Sequence, residues 1–219
     1  CTWEVFHPMK TLLFIGDSIT DSHRLFLDTP HSLGDGYVSM IQSCLLDSRY
    51  RILNRGHDGF TSTDILRCLE RDCLSQRPDI ITLLVGVNDI AVQLYGGIDR
   101  IPGEFEAVYR QILSRIRASL PDAFLILMEP FAFSRPREYL LFHHYILQES
   151  RIIRRLAKQF CCAFLPLHEQ MNSRNDSLGD SPLTTDGIHL SREGNRLLAD
   201  RWLSLAASLS LIDPAVLPG

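Results

Sequence analysis

Five short strand-like runs, four of them largely apolar and the second an Ile52-Leu53 pair between polar residues, constrain this chain more than any other feature of its sequence. They are Leu12–Ile15, Arg51–Asn54, Ile80–Val85, Phe124–Met128 and Ala163–Leu165. Glycine, proline or a polar cluster ends each run, and helical periodicity fills the intervals. Continuous apolar residues suit strands buried on both faces, as in a parallel sheet. The helical segments include Tyr37–Leu45, a stretch after Thr61 or Ser62 with Ile65, Leu66, Leu69 and Cys73, and Phe105–Leu120. Another ends near Phe160, and a last one follows a Ser191 cap with Leu197, Leu198, Trp202, Leu205 and Leu209. Right-handed crossovers between such strands predict an α/β fold: three layers, α/β/α, around a five-stranded parallel sheet. The flavodoxin-like order 2-1-3-4-5 puts the first strand at a switch point, where open α/β sheets bind ligands.

Size and charge narrow the function classes. A chain of 219 residues fits one domain, expected over 9–212, with a C-terminal tail over 213–219. Residues 1–8 read as a leader or an appended remnant, because Met9 stands just before the first strand. With 22 basic and 26 acidic residues the formal charge is -4, which gives no basic surface for nucleic acid. No apolar run approaches the roughly 20 residues that cross a bilayer, so no membrane span is expected. The cysteines Cys1, Cys44, Cys68, Cys73, Cys161 and Cys162 show no paired metal-type spacing. Buried free thiols in a reducing, cytoplasmic setting are the expectation.

Four polar clusters stand just after strands or in the last loop: Gly16-Asp17-Ser18-Ile19-Thr20, Asn54-Arg55-Gly56-His57-Asp58-Gly59, Gly86-Val87-Asn88-Asp89 and Asp186-Gly187-Ile188-His189. Taken singly, each has a plain structural reading as a turn, a helix cap or a surface histidine. Strand ends of a parallel sheet point one way, so the four loops can also converge. Together they hold what acyl transfer requires. Ser18 is a weak nucleophile until a base takes its proton. His189 can serve as that base, with Asp186 three residues earlier to fix its tautomer. The Ser18 and Gly56 backbone N–H groups and the Asn88 amide are candidate oxyanion donors.

These blocks, in this order, resemble the GDSL, or SGNH, hydrolase family over about residues 10–205. The resemblance implies a catalytic Ser18–His189–Asp186 triad, an oxyanion hole from Ser18, Gly56 and Asn88, and neither cofactor nor metal. Thr20, not glycine, stands two residues after Ser18, which sets the chain apart from the α/β-hydrolase elbow. Leu33-Gly34-Asp35-Gly36-Tyr37-Val38 and Met128-Glu129-Pro130-Phe131 are similar to bacterial members that include acetylxylan esterases. Two departures stand out. His57-Asp58 replaces a small apolar residue and a serine, so these side chains either line the site mouth or pair at the surface. Ile90-Ala91-Val92 follows Asp89 where acetylxylan-type members often carry tryptophan.

The expected activity is hydrolysis of short acyl esters, acetyl above all, of carbohydrates or other small molecules. Lysophospholipase, thioesterase or arylesterase activity is the alternative within the family. Two other classes compete. One is a metal-dependent phosphohydrolase using Asp17, Asp89, Asp186 and His189. The other is a non-catalytic binding module, from which loss of Ser18 or His189 would be expected. The expected partner is a small-molecule ester, with homo-oligomerisation left open by the sequence. Specificity is expected in the loops Asp21–Gly36, Ile90–Gly103, Glu129–Leu140 and Asn172–Thr185. Asp17 is expected to organise its turn.

Overall fold

The computed structural model describes residues 9–25, 29, 31–45, 49–96, 103–135, 137–179 and 182–214. The leader 1–8 with Cys1, residues 215–219 of the tail, and parts of the loops expected to set specificity lie outside the described residues. Five parallel strands form one sheet in the order β2-β1-β3-β4-β5, the order expected. They are β1 (Lys10–Gly16), β2 (Tyr50–Gly56), β3 (Ile80–Leu84), β4 (Phe124–Met128) and β5 (Ala163–Leu165). The helices are α1 (Ser18–Asp21), α2 (Tyr37–Cys44), α3 (Ser62–Asp72), α4 (Val87–Tyr95), α5 (Glu104–Ser119), α6 (Leu140–Gln159), α7 (His168–Leu178) and α8 (Arg192–Ser208).

Alternation along the strands explains the apolar runs. On β1, Leu12 and Phe14 face a core shared with α2, α7 and α8, while Leu13 and Ile15 face α3, α5 and α6. Both faces are covered, so every position from Leu12 to Ile15 is buried. Phe14 packs against Trp202 of α8 with ring centroids 5.1 Å apart, and the indole N–H donates to Thr82 Oγ1 at 2.9 Å. One polar pair thus ties the last helix to the central strand inside the core. The capping residues act as expected: the Thr61 side chain accepts from Asp64 N and the Ser191 side chain from Gly194 N.

Several local expectations fail for identifiable reasons. The segment read as a loop from Ile90 begins inside α4, because Val87 and Ile90 bury themselves in a small cluster with Phe142 and Ile146. The polar run from Asn172 begins inside α7, which has little apolar periodicity and is held by polar contacts. The Glu129 carboxylate accepts from the Leu167 and His168 N–H groups at 2.7 and 2.8 Å, and Asn172 Nδ2 donates to the Ala132 and His168 carbonyls. The segment from Glu129, assigned to a specificity loop, starts as core: Phe131, Ala132 and Phe133 are fully buried. Among the described cysteines all are free, but Cys161 is exposed, against the expectation of burial.

At the carboxyl end of β1, Asp17 caps α1 by accepting from Ile19 N at 3.0 Å. Desolvation pushes its buried carboxyl up from 3.8 to about 7, outweighing that backbone hydrogen bond. Neighbouring Asp89 adds to the rise. The folded state therefore binds this proton more tightly than the unfolded chain. Stability from this group is full below about pH 4 and declines as pH rises towards 7, by about 4 kcal/mol in all. Asp17→Asn keeps a capping oxygen without the charge. In urea titrations it should gain stability over the parent at pH 8 and lose most of that gain at pH 5. Thr82→Val should leave the Trp202 N–H buried without an acceptor and cost about 1–3 kcal/mol, read as a lower urea midpoint with unchanged slope.

Candidate active site

Ser18 sits at the first turn of α1, directly after β1, and the packing of that turn decides the geometry around it. Gly56, at the end of β2, lies against the turn so closely that a Cβ there would fall 2.1 Å from Asp21 N. The buried Asn54 side chain links three segments at this point. Its Nδ2 donates to the Thr20 and Leu33 carbonyls at 2.7 and 2.8 Å, and its Oδ1 accepts from Gly56 N at 2.8 Å. Thr20 Oγ1 and the Tyr37 hydroxyl are 3.0 Å apart, joining α1 to α2.

These contacts correct one expectation. The Gly56 N–H is buried and already donated to Asn54, so it is not available to an oxyanion. Gly56 is instead the residue that lets α1 approach β2. Gly59, three residues on, is the open glycine of the same loop. It has a left-handed φ of +71°, and a Cβ there would meet nothing within 4 Å. The sequence contained a signal for it, since Gly59 closes the same polar cluster as Asn54 and Gly56.

Across the sheet edge, the loop 184–190 delivers His189. His189 Nε2 lies 3.0 Å from Ser18 Oγ, and Nδ1 lies 2.6 Å from Asp186 Oδ2. The other Asp186 oxygen accepts from the Ile188 and His189 N–H groups at 2.9 and 2.8 Å. Desolvation raises the Asp186 carboxyl, but the His189 ring and these two N–H groups outweigh it and hold it below the ordinary range. Gly187 makes the tight turn with φ +100°. Its N–H donates to Thr184 Oγ1 at 2.8 Å, and its carbonyl accepts from the buried Phe133 N at 2.8 Å. The structure thus brings Ser18, His189 and Asp186 into one hydrogen-bonded line.

Asn88 lies in the first turn of α4, where Nδ2 donates to the Phe60 carbonyl at 3.0 Å. An amide nitrogen carries two N–H bonds, so one remains for a ligand. That bond places Asn88 beside the Phe60–Thr61 peptide, the next along the chain from Gly59–Phe60. A cleft of about 350 Å³ opens beside Ser18 and His189, with His23, Asp58, Thr185 and Leu190 in its walls. Asn88 and Gly56 are not among its lining residues.

His57 and Asp58 separate. Asp58 is exposed and lines the cleft, whereas His57 turns away to stack on Phe60, with centroids 4.3 Å apart, and to meet Asp72 through Nε2 at 2.9 Å. Desolvation would raise Asp72, yet Arg71 and His57 together hold its carboxyl far below the ordinary range. The carboxylates proposed for metal binding also part company. Asp89 spends both oxygens on Ser62, at 2.8 Å from its N–H and 2.6 Å from its hydroxyl, while Asp17 faces Ile19 N. Among the described residues no three His, Cys, Asp or Glu side chains form a group that could hold a metal ion, so the phosphohydrolase arrangement does not assemble.

No helix among the described residues is long and apolar enough to cross a membrane. Similarity to known proteins agrees with the geometry. The sequence matches the GDSL-like lipase/acylhydrolase family over residues 14–197. It is 28% identical over 209 residues to an acetylxylan esterase of Geobacillus stearothermophilus, covering 89% of this chain and 92% of that protein. A catalytic mutant of that esterase, with a serine replaced by alanine, superposes with a TM-score of 0.78 at 25% identity, over 91% of this chain and 94% of that one. Aspartate and histidine replacements in the same esterase are likewise described as catalytic mutants. LAE5, an α/β hydrolase enzyme from the metagenome of Lake Arreo, shares the fold, with a TM-score of 0.80 at 24% identity over 93% of this chain and 98% of its own. The chain belongs to the GDSL-like lipase/acylhydrolase family and is an ester hydrolase.

Proposed function

We propose that this hydrolase removes short acyl groups, acetyl above all, from hydroxyl groups of carbohydrates or related small molecules, with Ser18 as nucleophile. The observation that carries the reading is the hydrogen-bonded line from Ser18 Oγ through His189 to Asp186, at 3.0 and 2.6 Å. Ser18 Oγ attacks the ester carbonyl carbon as His189 Nε2 takes its proton. The carbonyl oxygen becomes an oxyanion, and the resulting imidazolium is stabilised by Asp186. Collapse breaks the bond to the alcohol oxygen, which receives the proton from His189. Water then attacks the acyl-serine with the same imidazole as base, releasing the acid and restoring Ser18.

Oxyanion donors follow from position. Ser18 N–H begins α1, and the Asn88 amide retains one N–H. Gly59 N–H takes the role first given to Gly56. The acetyl ester of a sugar is supported by the esterase relative, whose name gives acetylxylan as substrate.

Ser18→Ala should abolish hydrolysis of p-nitrophenyl acetate while leaving the thermal melt in place; substantial turnover by that variant would sink the assignment. Asn88→Ala should lower kcat by about 100- to 1000-fold with a smaller change in KM. A p-nitrophenyl ester series from acetyl to octanoyl should show kcat/KM falling with chain length. A rise would favour the lysophospholipase-type alternative.

A further inference from the structure

The cleft holds a second histidine that the hydrolytic line does not use. His23 follows α1 and faces the carboxylate of Asp35, with Nδ1 3.1 Å from both Asp35 oxygens. Its backbone is unusual. Ser22 and His23 are consecutive non-glycine residues with left-handed φ values of 41° and 63°. Each such residue carries a steric cost that surrounding structure must hold in place.

The restraint comes from Gly34-Asp35-Gly36. Ser22 N donates to Ser18 O and Asp35 N to Ser22 O, both at 2.9 Å, and Ser22 Oγ donates to Asp35 Oδ1 at 3.0 Å. A Cβ at Gly34 would lie 2.3 Å from Ser22 O, and one at Gly36 would lie 2.4 Å from Ser22 Oγ. The two glycines therefore let this segment close on Ser22 and bring Asp35 to the imidazole. The strained backbone sets His23 into the wall of the cleft that contains Ser18. Asp58 stands in another part of that wall on the β2–α3 loop, and among the described residues nothing donates a hydrogen bond to its carboxylate. A carboxylate accepts from two neighbouring hydroxyl groups at once.

We infer that Asp58 and the Asp35-oriented His23 form the subsite for the alcohol half of the substrate, and that it selects a neutral alcohol bearing vicinal hydroxyls. Asp58 accepts from the hydroxyl pair, and the His23 ring contacts the same group from its own part of the cleft wall. An aryl or a long alkyl alcohol offers neither contact. An anionic alcohol meets the Asp58 and Asp35 charges. The inference rests on the reading of Ser18 as the nucleophile that the alcohol must approach.

The test compares two acetates with the same acyl group: 2-O-acetyl methyl β-xyloside, which keeps the vicinal 3- and 4-hydroxyls, and p-nitrophenyl acetate. Asp58→Ala should raise KM for the sugar ester about tenfold and lower the sugar-to-aryl ratio of kcat/KM by a similar factor. His23→Ala and Asp35→Asn should lower that ratio about fivefold. Unacetylated methyl β-xyloside should inhibit aryl acetate hydrolysis competitively, with Ki about tenfold higher in Asp58→Ala. Equal losses on both substrates, or ratios and Ki unchanged within twofold, would overturn the subsite. If the parent cleaves the aryl acetate, spares the sugar ester and is not inhibited by the xyloside, the subsite fails and the Ser18 reading stands. If no ester is cleaved, the Ser18 reading fails. Saturation-transfer NMR of the xyloside then decides the subsite, supporting it by a signal lost in Asp58→Ala and overturning it by an equal or absent signal.

Discussion

The buried carboxamide of Asn54 is the contact on which the geometry of the cleft depends. It fixes the turn after β1, the segment before α2 and the end of β2 relative to one another, through two donated hydrogen bonds and one accepted. Such a group has no neutral replacement. Removing it leaves the buried Thr20 carbonyl and Gly56 N–H and the half-buried Leu33 carbonyl without this partner, and the buried pair carries a desolvation cost. Gly56 is the steric counterpart, since the same approach of α1 to β2 leaves no room for a side chain. Polar satisfaction and absent volume at adjacent positions thus hold Ser18 in place.

Electrostatics divides the acidic residues into separate tasks. Asp186 remains ionised because the His189 ring and two N–H groups oppose its desolvation. Asp17, only one residue from Ser18 in sequence, is fully buried, and desolvation outweighs its backbone donors and drives it the other way, to about 7. Two carboxylates near Ser18 thus differ in charge through the depth of their burial and the donors that oppose it. His57 shows the same logic from the basic side. Its partner is Asp72 of α3, so it staples the β2 loop to that helix and leaves Asp58 to face the cleft.

Much of this was legible in the sequence, because both the sheet and the polar clusters rest on strong local signals. Apolar runs on buried parallel strands have no alternation to misread, and strand order followed from crossover handedness together with a switch point at β1. The clusters containing Ser18 and His189 could be placed at one edge by topology alone. What escaped is of a different kind. α7 is a helix held by Glu129 and Asn172, distant in sequence or polar in character, so periodicity had nothing to register. Gly56 and Gly59 have equal claims in a one-dimensional reading. Only the hydrogen bond to Asn54 and the backbone angle at Gly59 separate them. The pairing of His57 with Asp72, fifteen residues away, required the position of α3.

The bond from Phe133 N to the Gly187 carbonyl has one more consequence. It moors the tight turn before His189 to a segment that is fully buried, and Thr184 holds the same turn through the Gly187 N–H and the His189 carbonyl. A loop tied to the core in this way cannot swing as a gate without disturbing the packing of Phe131 and Phe133. The entropy of aligning imidazole and hydroxyl is therefore lost when the chain folds, and not again each time a substrate arrives. On the proposal that His189 acts on Ser18, substrate entry and product departure then fall to the other walls of the cleft.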